Sequence, residues 1–242
     1  MMRLISREQL ILGKPVLMDD ATCLVHQLKI KEIFDIGSEN FFKSLALLTM
    51  SEQKIQSLTK VAEANTFDFL CEMSKTKDDF KNDVCEAISL FTKEEVYFFG
   101  LPFFQIGEPM ENGDTRVIDK NNFNELRSIL QQQNFLDENS GKQTKAASKI
   151  SQKMEENRRK INKIKGAVDL EFVDLVASLP LTGCNLNITQ VLELTYYSFN
   201  DQFKRSRKKD QYETNIRSLL AGASSKKIKL KDWVSNVQSK EL

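Results

Sequence analysis

One histidine, one tryptophan, four prolines, four cysteines and nine glycines are all that this 242-residue chain holds of the residue types that most often mark a chemistry. A hydrolytic triad would have to be built on His26, which falls in a run read as strand, and no Gly-x-Ser-x-Gly elbow accompanies it. Walker loops, Gly-x-Gly-x-x-Gly turns and His-Glu-x-x-His pairs are likewise missing. Cys23, Cys71, Cys85 and Cys184 are scattered without a Cys-x-x-Cys, so a zinc site would need ligands gathered from distant parts of the fold. They read as inert buried thiols of a reduced cytosolic protein. No run of 18 apolar residues exists to span a bilayer, and Met1-Met2-Arg3-Leu4-Ile5 is followed by charges rather than by the apolar region of a signal peptide. The expectation is a chain that stays where it is made and has no membrane partner.

What the chain does have is apolar mass and divided charge. With 40% apolar residues and 16 Phe it can bury a real core. The net charge of +1 conceals a split: residues 1–141 carry 15 Lys+Arg against 23 Asp+Glu (net −8), and residues 142–242 carry 20 against 11 (net +9). Three uses follow from two halves of opposite sign: mutual docking, self-association, or a basic half meeting an acidic partner. Solvated helix faces that merely segregate by sign are the alternative. The paired carboxylates at Asp19-Asp20, Asp78-Asp79, Glu94-Glu95 and Glu155-Glu156 read as ordinary surface, so no catalytic residue, cofactor or metal is expected.

Local patterning predicts an α+β fold, mainly α-helical, with helical lobes and one or two small β-hairpins. Leu10-Ile11-Leu12, Pro15–Met18 and Cys23-Leu24-Val25, broken by Gly13 and Asp19-Asp20, read as a small hairpin region. Lys31–Ile36 reads as a short helix stopped at Gly37, and Ser38 caps the next, which carries Phe41, Phe42, Leu45 and Leu48. Ser51, Thr66 and Asp78 open three more. Val96–Gly100 and Phe103–Ile106 face Thr115–Ile118 across Asn112-Gly113-Asp114, a strong hairpin cue whose strands Pro102 and Pro109 keep short. Its aromatics read as core rather than as an exposed partner patch. Asp119 or Asn121 then opens a helix bearing Phe123, Leu126, Ile129 and Leu130.

Composition changes after Asn134. Three units are expected: an N-terminal α+β lobe over 1–135, a polar basic linker or helix over 136–166, and a C-terminal helical lobe with a basic tail over 167–242. The last begins with a helix about Asp169–Leu179 and continues with one long helix from Asn187. On it Ile188, Val191, Leu192, Thr195, Tyr196, Phe199 and Phe203 follow the i, i+3, i+4 template. The stripe runs into Lys204-Arg205-Ser206-Arg207-Lys208-Lys209. Its apolar part is assigned to the core. Lys204, Arg205, Arg207, Lys208 and Lys209 become the candidate partner-binding surface, because burying five cations would be prohibitive. Reversing Arg205, Arg207 and Lys208 to Glu is expected to leave folding intact and weaken partner capture. Nucleic acid is the alternative partner, since both 142–165 and 204–209 can neutralise phosphates, although no recognised nucleic-acid motif accompanies them.

Several stretches in order along the chain resemble a family encoded in the structural-gene regions of tailed bacteriophages of low-GC Gram-positive bacteria. They are Ile30–Phe42, the Phe-rich hairpin followed by Phe123–Leu130, Val191–Arg205, Lys208-Lys209 with Tyr212, and Ala221-Gly222-Ala223. The resemblance implies a tail or baseplate morphogenesis protein, either an assembly chaperone or a minor virion structural component. It would work in the host cytoplasm during assembly by binding other tail or baseplate proteins, or itself, and it carries over no functional residue.

Overall fold

A computed structural model describes residues 4–18, 23–59, 65–108, 115–136 and 171–223, with the single positions 228, 230 and 234. The expected linker over 136–166 lies outside the described residues apart from Leu136, as do Asn112-Gly113-Asp114 and Trp233.

The fold is mainly α-helical α+β. Helix α1 (Arg7–Ile11) leads into the antiparallel pair β1 (Val16–Met18) and β2 (Cys23–Val25), in the register Val16 to Val25 and Met18 to Cys23. Leu10 and Ile11 are thus helical, Leu12 is their C-cap, and none of the three is part of the hairpin. Ser6 caps that helix by accepting the Gln9 N–H at 3.2 Å, a local signal that overrides the apolar run. Helices α2 (Ile30–Ile36) and α3 (Ser38–Leu48) meet at Gly37, whose φ of +86° permits the abrupt turn between them. Then come α4 (Glu52–Thr59), α5 (Thr66–Thr76), capped by Asn65, and α6 (Asp78–Thr92).

A second sheet has the order β3 (Val96–Tyr97), β4 (Phe103–Ile106), β5 (Arg116–Asp119), antiparallel throughout. Phe104, Ile106 and Ile118 are buried in it, while Phe99 and Leu101 stand exposed at its β3–β4 end. The aromatics therefore divide between core and surface. Helix α7 (Phe123–Gln133) follows, then α8 (Phe172–Ser178), a 3-10 turn (Leu179–Thr182), α9 (Ile188–Leu192) and α10 (Tyr196–Leu220).

One cluster of buried apolar side chains includes Met18, Ile33, Phe41, Ile88, Phe104 and Leu130 together with Val176, Leu179, Val191, Tyr197 and Phe199. Elements near the C-terminus thus share a core with those near the N-terminus. Phe172 binds them aromatically: its ring lies 5.7 Å from Phe34, 5.5 Å from Phe42 and 5.9 Å from Phe199, in edge-to-face arrangements.

Candidate interaction surface

The long helix expected from Asn187 is two helices joined by an elbow. Asn187 and Gln190 form a capping box that starts α9, and Thr195 starts α10 by accepting the Ser198 N–H on its hydroxyl at 3.2 Å. Between them Glu193 and Leu194 turn the chain, and Thr195 is extended and pairs with Lys29 in the strand-like entry to α2. Ile30 N–H donates to Leu194 C=O and Tyr196 N–H to Leu28 C=O, each at 2.9 Å. An edge pairing with residues more than 160 positions away has interrupted the helix, although no glycine or proline stands at 193–195. The interruption also turns the buried face: Tyr197 is fully buried, Tyr196 only partly, and Ile188 is exposed.

The elbow is clamped on both sides. Glu193 accepts from Lys29 at 2.7 Å and Lys31 at 2.5 Å, and these two ammonium groups pull its carboxyl down to about 2. Opposite, Gly13 at φ +66° lies so close that a Cβ there would sit 2.6 Å from the Thr195 methyl. Ser198 Oγ donates to Ile11 C=O at 2.9 Å. Two of the stretches that carry the phage-family resemblance, Ile30–Phe42 and Val191–Arg205, are therefore in direct contact. The Phe41 and Tyr196 rings, 5.2 Å apart, complete that contact.

Beyond the elbow, α10 divides the basic block. Asp201 is buried and receives Arg205 Nε at 2.7 Å and Arg7 Nη2 at 3.2 Å. Burial pushes its carboxyl above the ordinary range, against the downward pull of Arg7 and Lys204. Lys204 places Nζ 4.1 Å from the centroid of Phe135, a ring that stacks 4.4 Å from Tyr197. Phe135 sits at φ +57°, in the left-handed position that follows α7, and Leu136 N–H returns to Gln131 C=O at 2.9 Å. Helix ends of this kind usually place glycine there. Here the phenyl ring repays the strained backbone by covering Tyr197 and carrying Lys204.

From Arg207 to Leu220 no residue of α10 is buried. Arg207 is exposed, its guanidinium 5.8 Å from the Phe203 ring, and Lys208 and Lys209 are half-exposed. Glu213 lies 3.9 Å from Lys209 and 3.7 Å from Arg217, in pairs open enough to water to contribute little. The five candidate residues are thus not equivalent. Lys204 and Arg205 are spent on intramolecular contacts, and Arg207, Lys208 and Lys209 occupy the outer half. The geometry argues against reversing Arg205 without harm, because a glutamate there would face the buried Asp201 carboxylate. An Asp four residues before an Arg was the readable signal for that pair, whereas Arg7, 194 positions away, left none.

Residues 161–238 match the model of a family described as the YomV second domain, a family of phage-region proteins. The match covers α8 through α10 and is consistent with a phage-derived protein. No curated protein matches the chain, and no solved structure does. Among the described residues no helix is long and apolar enough to cross a membrane.

Proposed function

We propose that this chain is a non-enzymatic phage tail or baseplate morphogenesis protein, an assembly chaperone or minor structural component, that works by protein–protein binding in the host cytoplasm. The observation that carries the reading is the phage-family match over 161–238, which contains the basic outer half of α10. That half combines Arg207, Lys208 and Lys209 with an outward helix anchored at its other end in the core. Such an element can select an acidic partner by charge while the body of the protein stays rigid.

Proteomics of purified virions, together with affinity capture from infected cells using wild type and the variant R207E/K209E, tests this. The expected result is a tail or baseplate protein captured by wild type and lost with the variant; presence in the virion then marks a structural component and absence a chaperone. Capture of no phage structural protein, with salt-sensitive binding of DNA or RNA instead, would favour the nucleic-acid alternative.

A further inference from the structure

The bend between α9 and α10 is imposed from outside the helices it joins. Their apolar stripe, Ile188, Val191, Leu192, Thr195, Tyr196, Phe199 and Phe203, keeps its helical spacing straight through Glu193-Leu194-Thr195, and no glycine or proline breaks it. The residues that hold the bend are Gly13 and Leu28–Lys31, all remote in sequence. The family match over 161–238 contains both helices and the bend but none of these. By its pattern the matched segment favours one continuous helix, and the N-terminal part of the chain keeps it in two.

Hydrogen bonding separates the bent and straight forms by little. In the bent form Tyr196 N–H donates to Leu28 C=O, Leu194 C=O accepts from Ile30 N–H, and Ser198 N–H is met by the Thr195 hydroxyl. In a continuous helix the amides of 195–198 would meet the carbonyls of 191–194, so the same groups are satisfied within the segment. The ion pairs of Glu193 with Lys29 and Lys31 are nearly half-exposed, where such pairs contribute little. The main restraint left is apolar: Val191 is fully buried, and Phe172 lies edge-to-face on Phe34 and Phe42. Because α8, the 3-10 turn and α9 pack on one another, they can move as a unit and keep much of that burial. The two forms also exclude each other. Thr195 is paired to Lys29, and a Cβ at Gly13 would already lie 2.6 Å from the Thr195 methyl, so this setting admits an extended chain and not a helical turn.

We propose that this elbow is a conformational switch: residues 193–195 leave Leu28–Ile30, α9 and α10 join into one helix, and Phe172 is drawn off Phe34 and Phe42. A partner that binds the straight form better than the bent one would thereby uncover the aromatic surface of α2 and α3. The switch belongs to the fold itself, whatever partner the outer half of α10 takes.

Native-state hydrogen exchange of the full chain, followed by NMR at Ile30 and Tyr196, tests the switch, because both amides are bonded across the same pairing. Straightening exposes the Ile30 N–H but hands the Tyr196 N–H to Leu192 C=O. Ile30 should therefore exchange about tenfold or more faster than Tyr196, each relative to its intrinsic rate. T195P should abolish the difference: Thr195 has φ −68°, which suits proline, and the pairing is made by the amides of Ile30 and Tyr196, whereas a proline inside a continuous helix would break it. T195A, which removes the cap of the bent form, should speed Ile30 about fivefold and leave Tyr196 unchanged. Equal rates at the two amides in wild type overturn the proposal, as does a difference that T195P leaves intact. If T195P does not fold, judged by circular dichroism, T195A decides, and acceleration of both amides together is then the contrary result.

Discussion

The inner and outer halves of α10 have the same secondary structure and share one continuous basic block, and they do opposite things. From Tyr196 to Ser206 the helix is part of the fold: Tyr197 and Phe199 are buried, Asp201 gathers two guanidinium groups, and Ser206 accepts a hydrogen bond from Thr182 at 2.9 Å. From Arg207 onward it contributes nothing to the core. A cation in the first half is a structural element whose loss leaves a buried partner unsatisfied, whereas a cation in the second is surface whose removal costs the fold little. Sequence position alone does not separate them, since Arg205 and Arg207 stand two residues apart.

Substitutions along the helix can break this contrast. The largest effect is expected for Tyr197→Ala, which empties a fully buried site and unstacks Phe135, at a cost of about 3–5 kcal/mol. Urea denaturation measures it, and a loss below about 1 kcal/mol would mean that the inner half is not core. Next is Gly13→Ala, which forces an L side chain into positive φ and against the Thr195 methyl; about 2 kcal/mol is expected on the same assay. A neutral result would show that the elbow is not held as described.

The smallest effect concerns pH. Because the folded Glu193 carboxyl is depressed from its ordinary 4.5 to about 2, its contribution to stability is present above about 4.5 and is lost as pH falls through about 2. A carbon-13 NMR titration should place its midpoint near 2; a midpoint near 4.5 would show that Lys29 and Lys31 do not hold the elbow.

Most of the architecture was readable from local pattern. Gly37 as a stop, Thr66 and Asp78 as helix starts and the apolar run Phe103–Ile106 each speak for themselves over a few residues. The elbow was not readable in the same way, because Glu193-Leu194-Thr195 contains no breaker and sits inside a clean apolar stripe. Only its pairing with Leu28–Ile30 ends the helix there, and a partner that far along the chain leaves no local trace. Thr195 followed three residues later by Ser198 was compatible with a cap but equally with continuation. The candidate site was half legible for a related reason. A block of cations announces an exposed surface, yet Lys204 and Arg205 are drawn inward by Phe135 and by Asp201. Phe135 occupies a backbone conformation that its residue type does not advertise.

The central claim is that the basic block contains a structural part and a contact part. Urea denaturation of R205E beside R207E/K209E tests it most directly. The first variant should lose about 2–3 kcal/mol, because it sets two carboxylates together in a buried place, and the second should stay within about 0.5 kcal/mol of wild type. Equal losses in the two variants, or a stable R205E, would contradict the division of α10 on which the assignment of Arg207, Lys208 and Lys209 as the contact surface depends.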